Sequence, residues 1–308
     1  MGYMRDLLYF TPPDKSKANR RLFLDAMNRK DDTIKVVGRM IAKREQLGKD
    51  IVAGYLSAGN WNSGEPMNVL ESGSVYRYYR FAAWKLGQDR KFVKTGTLVD
   101  RKICDDPNIV NYSLKELGKV DKRTSQWQSA AAMMGNIEYL ENPPYKFQVT
   151  KQVIKDWTLH QNAQEKFGRK IRWDLEKDDT ILELEKSFLN MIRTGNFVME
   201  PRDSERFCYL NILGDMTPEE GKKRWSSLEG HEENRIIESE KAKRQVIAGE
   251  RPTSMDHRIQ QACGLLQIYR GQKLDVNMRV IDKTWELYDG YAKLAKDFKE
   301  RLTAREKQ

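Results

Sequence analysis

Cysteine and histidine are both scarce in this chain. The cysteines, Cys104, Cys208 and Cys263, are an odd and widely scattered set of three. None stands at metal-ligand or redox spacing from another, so neither a disulfide framework nor a thiolate zinc site organises the fold, and a reducing compartment suits the set. The three histidines, His160, His231 and His257, form neither a histidine-rich zinc site nor a Ser-His-Asp triad by spacing. No apolar run approaches the roughly 18 residues of a membrane span. The opening Met1-Gly2-Tyr3-Met4-Arg5-Asp6 lacks the apolar core of a signal peptide, and Asp6 speaks against N-myristoylation. A cytoplasmic protein without membrane contact is expected. A low-complexity linker is also missing, so two domains would pack closely or be joined by short crossings.

What is present is enough apolar residue, 39% of 308, to bury a sizeable core, and the length favours two domains over one. Basic residues outnumber acidic ones by 55 to 45, a net charge of +10 that implies anionic partners. The basic residues are interspersed with acids, as from Lys241 to Arg251, and form no arm or tail. Small phosphorylated metabolites are therefore expected ahead of nucleic acid.

One arrangement recurs along the chain: a polar or Gly/Ser stretch, then an amphipathic segment, often closed by glycine. It is seen from Asp14 to Arg20 ahead of Leu22, Phe23 and Leu24, and from Glu71 to Ser74 ahead of Phe81 to Leu86 and Gly87. It returns at Thr124-Ser125-Gln126 ahead of Ala130 to Met134 and Gly135, and from Thr253 to Asp256 ahead of a segment ending near Gly271. Ser, Thr and Asp cap helix starts and Gly ends helices, so the pattern predicts helices at all four places. Helix starts present unpaired N–H groups and partial positive charge, and Lys15, Arg20, Arg77 and Arg258 lie in or beside these first turns. Strands are expected at Lys91-Phe92-Val93-Lys94, at Phe197-Val198-Met199 and over the alternating Leu274, Val276, Met278 and Val280. A last helix is expected from Thr284 to Arg301.

The segment from Thr11 to Arg20 resembles the opening signature of the 5-enolpyruvylshikimate-3-phosphate synthase family, the enolpyruvyl transferases. Further segments resemble that family's motifs in its own order: Ser72-Gly73-Ser74 with Arg77, Asp100-Arg101-Lys102-Ile103, Thr124-Ser125-Gln126, Pro144-Tyr145, Glu232-Glu233-Asn234-Arg235, Asp256-His257-Arg258-Ile259 and Asp282-Lys283-Thr284-Trp285. The stretches between Arg101 and Thr124, Tyr145 and Glu232, and Arg235 and Asp256 are shorter than is usual there. The resemblance implies an α/β fold, a trimmed two-domain architecture of repeated βαβαββ units in pseudo-threefold inside-out barrels. It places residues 1–14 and 176–308 in a discontinuous first domain and 15–175 in a second, with the active site in the cleft between them.

The implied activity is that of a 3-phosphoshikimate 1-carboxyvinyltransferase: the enolpyruvyl group of phosphoenolpyruvate moves to shikimate-3-phosphate in aromatic amino-acid biosynthesis. By the same resemblance, Lys15, Gly73, Arg101, Gln126, Arg235, Arg258 and Lys283 take phosphoenolpyruvate. Ser16, Arg20, Thr124, Ser125, Gln126, Tyr145 and His231 take the phosphorylated acceptor, and Lys15, Glu232 and Asp203 are the catalytic candidates. The expected state is a monomer with no metal and no cofactor. His231 stands where the family has lysine, Glu71 where it has asparagine and Pro13 where it has glycine. A different acceptor alcohol therefore stays open, and so does a non-catalytic relative that binds phosphate or nucleic acid. The sister family that uses a UDP-amino sugar fits Lys15-Ser16 poorly.

Overall fold

Asp14 accepts hydrogen bonds from the backbone N–H groups of Ser16 and Lys17 and so starts helix α1, Lys15–Met27. A computed structural model of the chain describes residues 13–43, 47–117, 119–120, 124–136, 145–167, 175–176, 178–225, 230–278, 280–281, 296 and 300. After α1 come α2 (Asp32–Ala42), α3 (Lys49–Ser63), β1 (Met67–Leu70), α4 (Gly73–Lys85), β2 (Phe92–Lys94), α5 (Leu114–Leu117), α6 (Thr124–Met133) and α7 (Tyr145–Phe167). Then follow α8 (Asp179–Thr194), α9 (Phe207–Ile212), α10 (Pro218–Arg224), α11 (Gly230–Ile247) and α12 (His257–Tyr269).

The four expected helices form as α1, α4, α6 and α12. Ser72 caps α4 and Asp256 caps α12 through their side chains. Gly87, Gly135 and Gly271, just past the ends of α4, α6 and α12, all have positive φ (61°, 87° and 68°), a backbone that suits glycine and stops a helix.

The expected α/β fold of repeated βαβαββ units is not what forms. Among the described residues twelve α-helices carry the structure, and strand is confined to one parallel pair, β1 with β2, in the register Met67↔Phe92 and Asn68↔Val93. The expected strand at 91–94 is β2, whereas 197–199, 274–278 and 280 join no sheet.

The physical reason is visible in α12, whose glutamines take the backbone bonds a neighbouring strand would supply. Asp275 N–H donates to Gln267 Oε1 (2.9 Å), Gln267 Nε2 donates to the Asp275 carbonyl (3.3 Å), and Asn277 N–H donates to Gln260 Oε1 (2.8 Å). Leu274, Val276 and Met278 meanwhile pack on a helical core. Phe197 and Met199 join the same core, and the backbone just beyond them is held when Glu200 N–H donates to Glu183 Oε1. The expected helix from Thr284 to Arg301 lies almost wholly outside the described residues.

The chain divides into two compact units, one of them Pro13–Glu176 and the other containing the chain from Lys177 onward. Residues 1–12, expected in the discontinuous domain, lie outside the described residues. The Pro13–Glu176 unit is built on Phe23, Trp61, Tyr79, Phe81 and Trp127; the later unit is built on Phe188, Tyr209, Ile212, Ile259 and Cys263. No described helix is long and apolar enough to cross a membrane.

Candidate functional site

In the Pro13–Glu176 unit the start of α4 gathers cationic and amide groups. Gly73 opens the helix, and its carbonyl accepts from Arg77 Nη1 (3.1 Å) one turn on. The same Nη1 donates to Gln126 Oε1 (2.9 Å) from the first turn of α6, and the guanidinium lies 5.8 Å from the Trp127 ring. A Cβ on Gly73 would crowd Arg77 Nη1 at 3.0 Å, while Arg101 Nη1 would remain at an ordinary contact distance of 3.5 Å, so the bare glycine makes room for Arg77 with Arg101 close by. Arg101 is itself exposed and donates to Thr97 Oγ1 (2.9 Å). The sequence-predicted Gly73, Arg101 and Gln126 are thus brought together, joined by Arg77, which sequence reasoning noted but did not place in the site.

The start of α1 is arranged differently. Lys15 is paired with Asp50 of α3 at 2.5 Å. Ser16 is exposed and its N–H is taken by the Asp14 cap. Arg20, one turn further, is 8% exposed, and its Nε and Nη1 have no hydrogen-bond partner among the described residues. A buried guanidinium left this way is costly unless an anion satisfies it. Its neighbour Asn19 is 3% exposed, with both amide atoms likewise unpartnered.

Glu71 has a local task. It accepts from Thr97 N–H (3.3 Å) and from Lys49 Nζ (3.4 Å), and it packs where a Cβ on Gly96 would come within 2.3 Å of its Cδ. Thr124 and Ser125 fall in the first turn of α6 and Tyr145 begins α7; the side chains of Thr124 and Tyr145 lie outside the described residues.

In the later unit the basic residues are matched by carboxylates. Arg258 Nη2 donates to Glu205 Oε2 (2.5 Å), Arg235 Nε to Asp256 Oδ2 (2.9 Å), Arg206 Nη1 to Asp203 Oδ2 (2.7 Å) and Arg206 Nη2 to Glu183 Oε2 (2.9 Å). Burial opposes charge on Arg258, but the Glu205 and Asp256 carboxylates more than offset it and raise its pKa further above the ordinary arginine value. For Asp256 burial pushes upward, and Arg235 and Arg258 outweigh it to hold the carboxyl below its usual range. Asp203 goes the other way: burial, then the Glu205 charge, lift its pKa in spite of Arg206. Burial of the Cys208 thiol in the core beneath pushes it up to about 12, so it is no nucleophile at neutral pH.

An anion arriving at Arg258 must therefore compete with Glu205. Sequence reasoning missed Glu205, and its signal was the alternating charge of Arg202-Asp203-Ser204-Glu205-Arg206. His231 and Glu232 lie in the first turn of α11 with side chains outside the described residues, and Lys283 lies outside them altogether. Among the described residues no three His, Cys, Asp or Glu side chains are grouped to hold a metal ion.

The chain matches no protein-family model, no curated protein and no solved structure.

Proposed function

We propose that the chain is a transferase that moves the enolpyruvyl group of phosphoenolpyruvate onto a phosphorylated alcohol, shikimate-3-phosphate being the first to test. The observation that carries this reading is the placement of its motifs. Lys15-Ser16 opens α1, Gly73-Ser74 opens α4, Thr124-Ser125-Gln126 opens α6, His231-Glu232 follows the first residue of α11, and His257-Arg258 opens α12. Each of these helices starts with N–H groups and partial positive charge beside polar or basic side chains, which is what carboxylate and phosphate groups require. The reading needs those groups and not a particular barrel, since function resides in sites that unrelated folds can carry.

In the proposed reaction the acceptor hydroxyl oxygen bonds to C2 of phosphoenolpyruvate while C3 gains a proton. The tetrahedral adduct then loses a proton from C3 and phosphate from C2, and the hydroxyl proton leaves with the phosphate. Glu232 and Asp203 are the proposed proton carriers; burial, then the Glu205 charge, raises the pKa of Asp203. Arg235 and Arg258 would take phosphoenolpyruvate in exchange for the carboxylates of Asp256 and Glu205.

The test is phosphate release by the full chain from phosphoenolpyruvate with shikimate-3-phosphate, read beside thermal stability. Release that needs both compounds is expected, with a rise in melting temperature from linkage. Arg258→Lys should lose roughly 10- to 100-fold in affinity for phosphoenolpyruvate, since a forked charge-assisted contact becomes a single point charge. No release, together with no thermal shift from either compound, would overturn the reading.

A further inference from the structure

The two-stranded sheet of the Pro13–Glu176 unit is closed along one edge and open along the other. On the outer side of β1, Ser57 Oγ donates to the Asn68 carbonyl (3.0 Å) and Asn68 N–H donates to Asn60 Oδ1 (3.1 Å), so α3 covers that edge. On its inner side β1 meets β2: Met67 N–H donates to the Lys91 carbonyl (2.8 Å) and Thr95 N–H to the Leu70 carbonyl (2.9 Å). Backbone groups alternate sides along a strand, so if Lys91 and Thr95 face β1, the N–H and C=O of Phe92 and Lys94 face away. Among the described residues none of these four groups has a hydrogen-bond partner.

The side chains around this edge define what could lie on it. Val93 is 46% exposed and Lys91 is exposed beside it. On the other face Phe92 packs on Tyr76 (5.2 Å between ring centres), and Lys94 Nζ lies 4.9 Å from the same ring. Arg90, Lys91 and Lys94 bring positive charge with no acid among residues 90–94, although Asp89 precedes them. Arg90 is fixed over the Trp61 ring at 4.9 Å and donates to the Trp61 carbonyl. A second copy of this edge would set lysine against lysine, and such like-charge pairing is how natural sheets discourage self-association. The same charges complement a strand rich in glutamate or aspartate.

We propose that the free edge of β2 is a docking site for an extended acidic segment of a partner protein, added as a further strand. Its backbone would bond Phe92 and Lys94, with carboxylates on one of its faces lying beside Lys91 and apolar side chains on the other beside Phe92. The site does not depend on the enolpyruvyl reading.

The experiment uses the full chain and a capped octapeptide of alternating glutamate and valine, with backbone amides followed by NMR. Binding should shift the Phe92 and Lys94 amide signals and slow their hydrogen exchange. A peptide of the same charge, N-methylated at alternate residues, should bind at least about tenfold more weakly because it cannot form the ladder. Lys91→Glu, at an exposed position, should weaken the unmodified peptide about tenfold with unchanged circular dichroism. Equal binding of the methylated peptide, shifts centred on the starts of α1, α4 and α6, or no binding at about 1 mM peptide would each overturn the proposal.

Discussion

Asp25 is 1% exposed, yet its carboxylate serves the start of α2, with Oδ2 accepting from Thr33 N–H (2.6 Å) and Ile34 N–H (3.2 Å). Burial dominates those bonds, and with the Asp32 and Asp31 charges adding to it, the pKa rises from 3.8 to about 6. His160, buried on α7, reaches the same corner through Asp32, 3.3 Å away. The folded state therefore holds the Asp25 proton more tightly than the unfolded chain does. The favourable contribution is complete below about pH 4, declines as pH rises through the window from about 4 to 6, and is gone above it. Asp25→Asn keeps an acceptor for the two N–H groups and removes the titration. Urea unfolding of both proteins across that window should show the variant gaining on the parent by about 3 kcal/mol as pH rises. Parallel curves would mean that the carboxyl is not buried as described. None of this was legible in the sequence, because it depends on which helix lies over Asp25. The pairing of Arg258 with Glu205, 53 positions away, was hidden for the same reason.

At the scale of elements, helix starts were legible and sheet edges were not. Asp14, Ser72 and Asp256 announce helices through their own side chains, and Gly87, Gly135 and Gly271 end them, so each signal lies within a few residues of what it determines. Leu274, Val276, Met278 and Val280 alternate as a strand should, but alternation reports only which side chains are buried. What became of their backbone was decided by Gln260 and Gln267 on α12. Gln260 is fully buried and satisfies three backbone groups, donating to the Pro252 carbonyl (2.9 Å) and the Ser254 carbonyl (2.6 Å) and accepting from Asn277 N–H. Gln260→Leu keeps the volume and leaves all three unmet, which should cost about 3 kcal/mol at 1–3 kcal/mol for each buried unpaired group, after partial relaxation toward water. The Asn277 amide should also exchange faster. Unchanged protection there would show that the glutamine does not hold the segment.

For the whole molecule the relevant quantity is how much of the +10 charge is available to a ligand. Lys15, Arg206, Arg235 and Arg258 each face a carboxylate within 3 Å, and Arg80 is likewise bonded to Asp105 at 2.8 Å, so much of the basic character is answered locally. A polymer that lies across several cationic groups releases counterions, and its affinity falls by roughly three to five decades between 50 and 200 mM salt when about six to ten phosphates are covered. A small dianion held by a few guanidiniums at helix starts loses far less over that range, because partly buried pairs are screened less than exposed ones. Binding of duplex DNA to the full chain should therefore be weak at 150 mM salt and steep in a plot of log affinity against log salt. The thermal shift produced by phosphoenolpyruvate with shikimate-3-phosphate should largely survive the same change. Fluorescence anisotropy on labelled DNA and melting curves at both salt concentrations separate the two. Tight DNA binding at physiological salt, with no thermal shift from either metabolite, would show that the charge serves a polyanion and that the helix starts are only caps.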